Sequence, residues 1–141
     1  MAAGLAVVLV SGAWCGTALS ATPVHSPKLP YKLGAYAGTL SQNAPRSYKG
    51  RIHFIVRRGK VTALTFKVGV VCHGVWGVET AAPTGFQTRV HRTGAFSYTG
   101  NIAGSWIRLR GTLKQHHATG TLLQIVNGCS MEKPASFTAR S

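Results

Sequence analysis

A chain of 141 residues is long enough for one domain of ordinary size, and its 16 Lys and Arg against 2 acidic residues give a formal net charge of +14. With no Asp, a Ser-His-Asp triad is excluded, and Glu79 and Glu132 are the single candidate pair for two-carboxylate hydrolysis. A field of this sign attracts polyanions, whether nucleic acid, anionic lipid or acidic cell-wall polymer.

The chain opens on an apolar run, Ala2–Ala13, followed by the small residues Ala18, Ser20 and Ala21 and then Pro23. That order is expected of a secretory signal, residues 1–21, cut after Ser20 or Ala21, although no Lys or Arg precedes the run. As a membrane span the run is poor, because Ser11, Gly12, Gly16 and Thr17 interrupt it. Removal of the signal takes Cys15 with it and leaves Cys72 and Cys129, an even pair that export would oxidise to a disulfide. Residues 22–33, with Pro23, Pro27 and Pro30, read as an extended linker, and residues 34–141 as a single domain.

Within that domain the apolar period is two. Gly34–Leu40 is a first strand anchored by Tyr36, and Ser41–Ser47 is a loop. Gly50–Arg57 puts Ile52, Phe54 and Val56 on one face and Arg51, His53 and Arg57 on the other. Arg58-Gly59 then turns the chain into Lys60–Cys72, a hairpin partner in which the even positions from Thr62 to Cys72 form the expected core face. His73–Gly85 is expected to be irregular and to carry Trp76 in a long loop. Shorter runs follow: Phe86–Val90, Ala95–Ile102, Ser105–Leu113 with Ile107 and Leu109 inward, Ala118–Val126, and Ala135–Arg140 with Phe137 and Ala139 inward. No helical period is sustained, so the expected fold is all-β, an antiparallel β-sandwich or closed β-barrel of about seven or eight strands.

The chemistry-bearing residues point away from catalysis. Glu79 and Glu132 fall on expected loops with nothing to bring them together, and no Gly-x-Ser-x-Gly elbow occurs. His116-His117 matches no zinc spacing, so no metal and no cofactor is expected. What remains is cationic. Arg51, Arg57, Lys67, Arg108 and Arg110 all have solvent parity, with Trp106 outward beside Arg108; if their strands are adjacent they form one basic face suited to phosphate-bearing polymers. No nucleic-acid module signature is present, so no specific nucleic acid is expected.

Several short stretches carry a resemblance: Tyr36-Ala37-Gly38-Thr39 with Ser41-Gln42, Gly59-Lys60-Val61-Thr62 leading to Cys72, Gly94-Ala95-Phe96-Ser97-Tyr98, Leu109-Arg110-Gly111-Thr112-Leu113, Ala118-Thr119-Gly120-Thr121-Leu122 and Cys129. Together they resemble a small secreted β-domain of the kind encoded in actinobacterial genomes. The resemblance implies an exported β-sandwich-like domain with one disulfide, and it implies no activity or site residues. The functional expectation is a non-catalytic domain of the cell envelope or its exterior that binds an anionic polymer or lipid surface. The alternatives are a small-ligand carrier with an apolar cavity in its barrel, and a secreted hydrolase.

Overall fold

The computed structural model describes residue 16, residues 18–23 and residues 26–141. Most of the expected signal segment therefore lies outside the described residues. Ten strands succeed one another: β1 (Gly34–Gln42), β2 (Tyr48–Arg57), β3 (Lys60–Cys72), β4 (Val75–Ala81), β5 (Gln87–Arg89), β6 (Ala95–Ile102), β7 (Ser105–Lys114), β8 (His117–Val126), β9 (Cys129–Ser130) and β10 (Ala135–Arg140). There is no helix among the described residues.

Every pairing between strands is antiparallel, and in the sequential pairs this follows from their short connections. Six strands close a barrel in the order β10-β1-β2-β3-β9-β8, with β8 returning to β10. Two wings hang on this ring. One is β4 and β5, both on the far edge of β3; the other is β7 and β6, on the far edge of β8. The wings meet where Val90 bridges Phe96 and the Thr88 hydroxyl donates to Ser97 O. The sandwich alternative is thus set aside in favour of the barrel.

The interior is filled by side chains from every long strand of the ring and from β6 and β7. Phe54 is its centre: it stacks on Tyr36 (centroids 5.3 Å apart, planes at 5°) and meets the rings of Phe96 and Phe137 at 5.9 and 6.3 Å. Leu40, Ile52, Leu64, Phe66, Ile107 and Leu122 pack around it with at most 1 % exposure. At full burial, side chains of this kind contribute about 1.5–3 kcal/mol each, so the centre holds the strands in place more firmly than any surface pair does. Two glycines make room for the aromatics. A Cβ at Gly111 would collide with the Phe96 ring, and one at Gly120 with the Phe137 ring. Each ring thus sits over its register partner on the neighbouring strand, which only a glycine allows.

Three expectations change here. Thr62 is only half-buried and Val61 is buried instead, because the register slips between His53 and Ile55 and Ala63 adopts a φ of 50°. This bulge inserts one residue and flips the inward parity of β3 from odd to even at Leu64. The stretch His73–Gly85 is not irregular: it holds β4, reached through a His73-Gly74 turn whose residues have φ of 49° and 81°. Those angles belong to the tight hairpin turn that suits the strand twist, a turn usually announced by Asn-Gly. Finally, the end of the expected linker belongs to the domain. Tyr31 is buried, and the backbones of Pro30 and Lys32 bond to Gln115 at the β7–β8 turn. The Tyr36 hydroxyl donates to Lys32 O at 2.8 Å, which ties this segment to the core from below.

The expected disulfide is present. Cys72 and Cys129 are register partners across β3 and β9, so the covalent link lies where the six-strand ring passes between β3 and β8. The bridge spans 57 residues, and a loop of that length is worth about 4 kcal/mol in the chain-entropy account.

Candidate polyanion-binding surface

All 16 Lys and Arg side chains lie on the outside of the barrel, and of them only Arg108 is half-buried rather than exposed. Alternation explains this directly. Each strand gives one parity to the aromatic core and the other to water, and the charged residues occupy the second. The two acids do not offset them. Glu132 stands on the loop before β10, and Glu79 points inward from β4 toward Gln124.

The cations expected to form one face fall into two groups. Arg51 on β2 is the direct register partner of Lys67 on β3, and Arg57 pairs with Lys60 at the hairpin end of the same strands. Arg108 and Arg110 sit on β7, which hydrogen-bonds to β6 and β8 and to neither β2 nor β3. The condition of adjacent strands is therefore not met: β1, β10 and β8 separate the groups one way around the barrel wall, and β9 and β8 the other.

Trp106 does face outward. The Arg108 guanidinium lies over its ring, 5.9 Å from the centroid, beside Ile125, which is 46 % exposed. A second aromatic–cation cluster was not legible in the sequence. Trp76, on β4 rather than in a loop, covers Gly69 from outside, meets Tyr48 edge-on at 5.9 Å and carries Arg46 at 5.5 Å from its ring. Its indole N–H is buried without a hydrogen-bond partner. A residue larger than Gly69 would have pushed this ring away, so the smallest residue of β3 was the available signal.

On the inner side of β8 a polar group is buried. Gln124 is fully buried on β8; its Nε2 donates to Glu79 Oε1 and to Ser105 Oγ, each at 3.4 Å, and its Oε1 has no partner. This is an amide holding a single carboxylate, with no second acid and no imidazole bonded to it, and it lacks the geometry of an acid–base pair. His116 lies near Ser141 Oγ at the β7–β8 turn, and among the described residues no group of three His, Cys, Asp or Glu side chains converges.

Compared with known protein families, with curated proteins and with solved structures, the chain has no match.

Proposed function

We propose that this protein is a non-catalytic, extracytoplasmic binding domain, held by its cationic exterior on an anionic polymer of the cell envelope. The observation that carries the reading is the outward display of all 16 cations, while one Glu is turned inward and the other sits on a loop. Uncompensated charge on a rigid barrel raises the local concentration of a polyanion and releases its counterions on contact. The Cys72–Cys129 bridge is compatible with an oxidising location outside the cytoplasm. Against a ligand carrier stands the aromatic filling of the barrel around Phe54. Against a hydrolase stands the isolation of Glu79 beside an amide.

The test is retention of the oxidised protein on immobilised anionic envelope polymer over a salt series, with a neutral polysaccharide and anionic vesicles as comparison arms. Selective retention on the polymer that weakens steeply with salt is expected. Arg51→Gln with Lys67→Gln should flatten the log–log salt slope by roughly 1.4–1.8 units. Equal retention on the neutral polysaccharide, or none on any anionic arm at low salt, would reject the reading; preference for vesicles would move the partner to lipid.

A further inference from the structure

We infer that the outer face of β7, β8, β10 and β1 is a binding site for an extended phosphodiester–polyol chain. The inference rests on the polyanion reading above and gives it a place and a ligand class. The strand register lines up Thr112, Thr119, Thr138 and Thr39 as direct neighbours across four adjacent strands, and continues the row into Arg51 and Lys67 on the next two. A second row, two residues along each strand, reads Arg110, Thr121, Ser136, Ser41 and Lys49. A third, on the other side of the first, begins Lys114, His117 and Arg140. All of these side chains are exposed, and none of the rows contains an acid.

The result is a floor of seven hydroxyls bordered by cations on three sides. With strands about 4.8 Å apart and like-facing residues about 6.8 Å apart, the floor measures about 14 by 7 Å. Two shallow depressions of about 380 and 600 Å³ meet on it at Thr119, the first reaching His117 and Arg140, the second Arg110 and His91. Short side chains on curved strands leave these depressions open, while the long cationic ones stand up at the rim.

Such a surface reads two chemistries at once. Hydroxyls both donate and accept, which matches the hydroxyls and ether oxygens of a polyol or sugar. Guanidinium and ammonium groups donate only, which matches phosphate oxygens. A chain that alternates the two engages floor and rim together. A bare polyphosphate engages only the rim, and a neutral glycan only the floor.

The experiment measures binding of the oxidised protein to poly(glycerol phosphate), to sodium polyphosphate and to dextran, before and after the triple substitution Thr39→Val, Thr119→Val and Thr138→Val. These changes keep the β-branched shape and remove the hydroxyls. Affinity for poly(glycerol phosphate) should fall at least about tenfold, while affinity for polyphosphate changes less than about twofold. Unchanged poly(glycerol phosphate) affinity, or an equal fall for both polyanions, overturns the site. Dextran binding as strong as that of poly(glycerol phosphate) overturns the phosphodiester class. Amide shift mapping of the unsubstituted protein decides the matter even if the variant fails to fold: perturbations centred on Thr39, Thr119 and Thr138 support the site, and perturbations elsewhere reject it. Absence of polyphosphate binding at low salt is the separate signature by which the broader polyanion reading fails.

Discussion

Two buried glutamines, one on β1 and one on β8, face the interior, and they are satisfied very differently. Gln42, on β1, takes the place of a strand. Its Nε2 donates to Gly69 O at 2.9 Å and its Oε1 accepts from Gly69 N at 2.6 Å. Gly69 lies midway between Lys67, paired with β2, and Val71, paired with β9, so the amide fills the one rung that neither strand supplies. Gln124, on β8, holds two loose bonds at 3.4 Å and an orphaned Oε1. The difference follows the wall behind each. Around β10-β1-β2-β3 the ladders run along the strands with one bulge between β2 and β3, whereas among the described residues β4 pairs with β3 alone, and the β5 segment meets β6 through the Val90–Phe96 bridge and the Thr88–Ser97 hydrogen bond. Where the wall is closed, the polar side chain has backbone partners at short range; where the wings meet, it has side-chain partners at 3.4 Å.

The largest test of this contrast removes the link between the two sides. Cys72→Ser with Cys129→Ser frees β9 from β3, and chemical denaturation should show a loss of about 4 kcal/mol. A loss under 1 kcal/mol would mean that the ring holds without its covalent closure.

The glutamines come next. Gln42→Leu leaves the buried Gly69 N–H and C=O unpaired and should cost about 2–3 kcal/mol in the same measurement. Gln124→Leu removes an acceptor that was already unpaired, so its cost should stay within about 1 kcal/mol. Equal costs would show that the looseness around Gln124 carries no energetic consequence.

The smallest effect concerns Tyr36. Burial pushes its phenol above the ordinary value of 10.0, against the lowering effect of hydrogen bonds with Ser141 and Lys32. Below about pH 10 the phenol is protonated in both folded and unfolded chains, and its contribution is intact. As pH rises through the unfolded value, the unfolded chain releases the proton while the folded one retains it, so stability falls until the raised folded value is passed. Tyr36→Phe should cost about 1 kcal/mol at neutral pH and flatten the alkaline decline relative to the parent. An identical decline in both proteins would assign it to other groups.

Legibility tracked the same boundary. Strands such as Gly50–Arg57 and Ala135–Arg140 alternate cleanly because one face meets the aromatic core and the other meets water. In β4 the rule is inverted: Trp76 and Val78 lie outside, while Gly77 and Glu79 take inward parity. An indole covering a glycine and a carboxylate held by a buried amide are tertiary arrangements, so the segment looked like a loop. The cations were found individually, since solvent parity is a property of one strand. Their grouping was not, since it depends on which strands are neighbours.

From the sequence alone came the all-β class, the inward set of most strands, the cysteine pair and the outward turn of the positive charge. Each of these follows from alternation within a few residues or from composition. Only the tertiary structure decided that the sheet closes into a barrel, that β3 carries a bulge at Ala63, and that β10 enters between β1 and β8. That last insertion puts Thr138, near the end of the chain, in register with Thr39, near the start of the domain, and with Thr119 on its other side. No local pattern encodes such a row, because it arises only when backbone ladders from distant segments are brought into one register by a shared core.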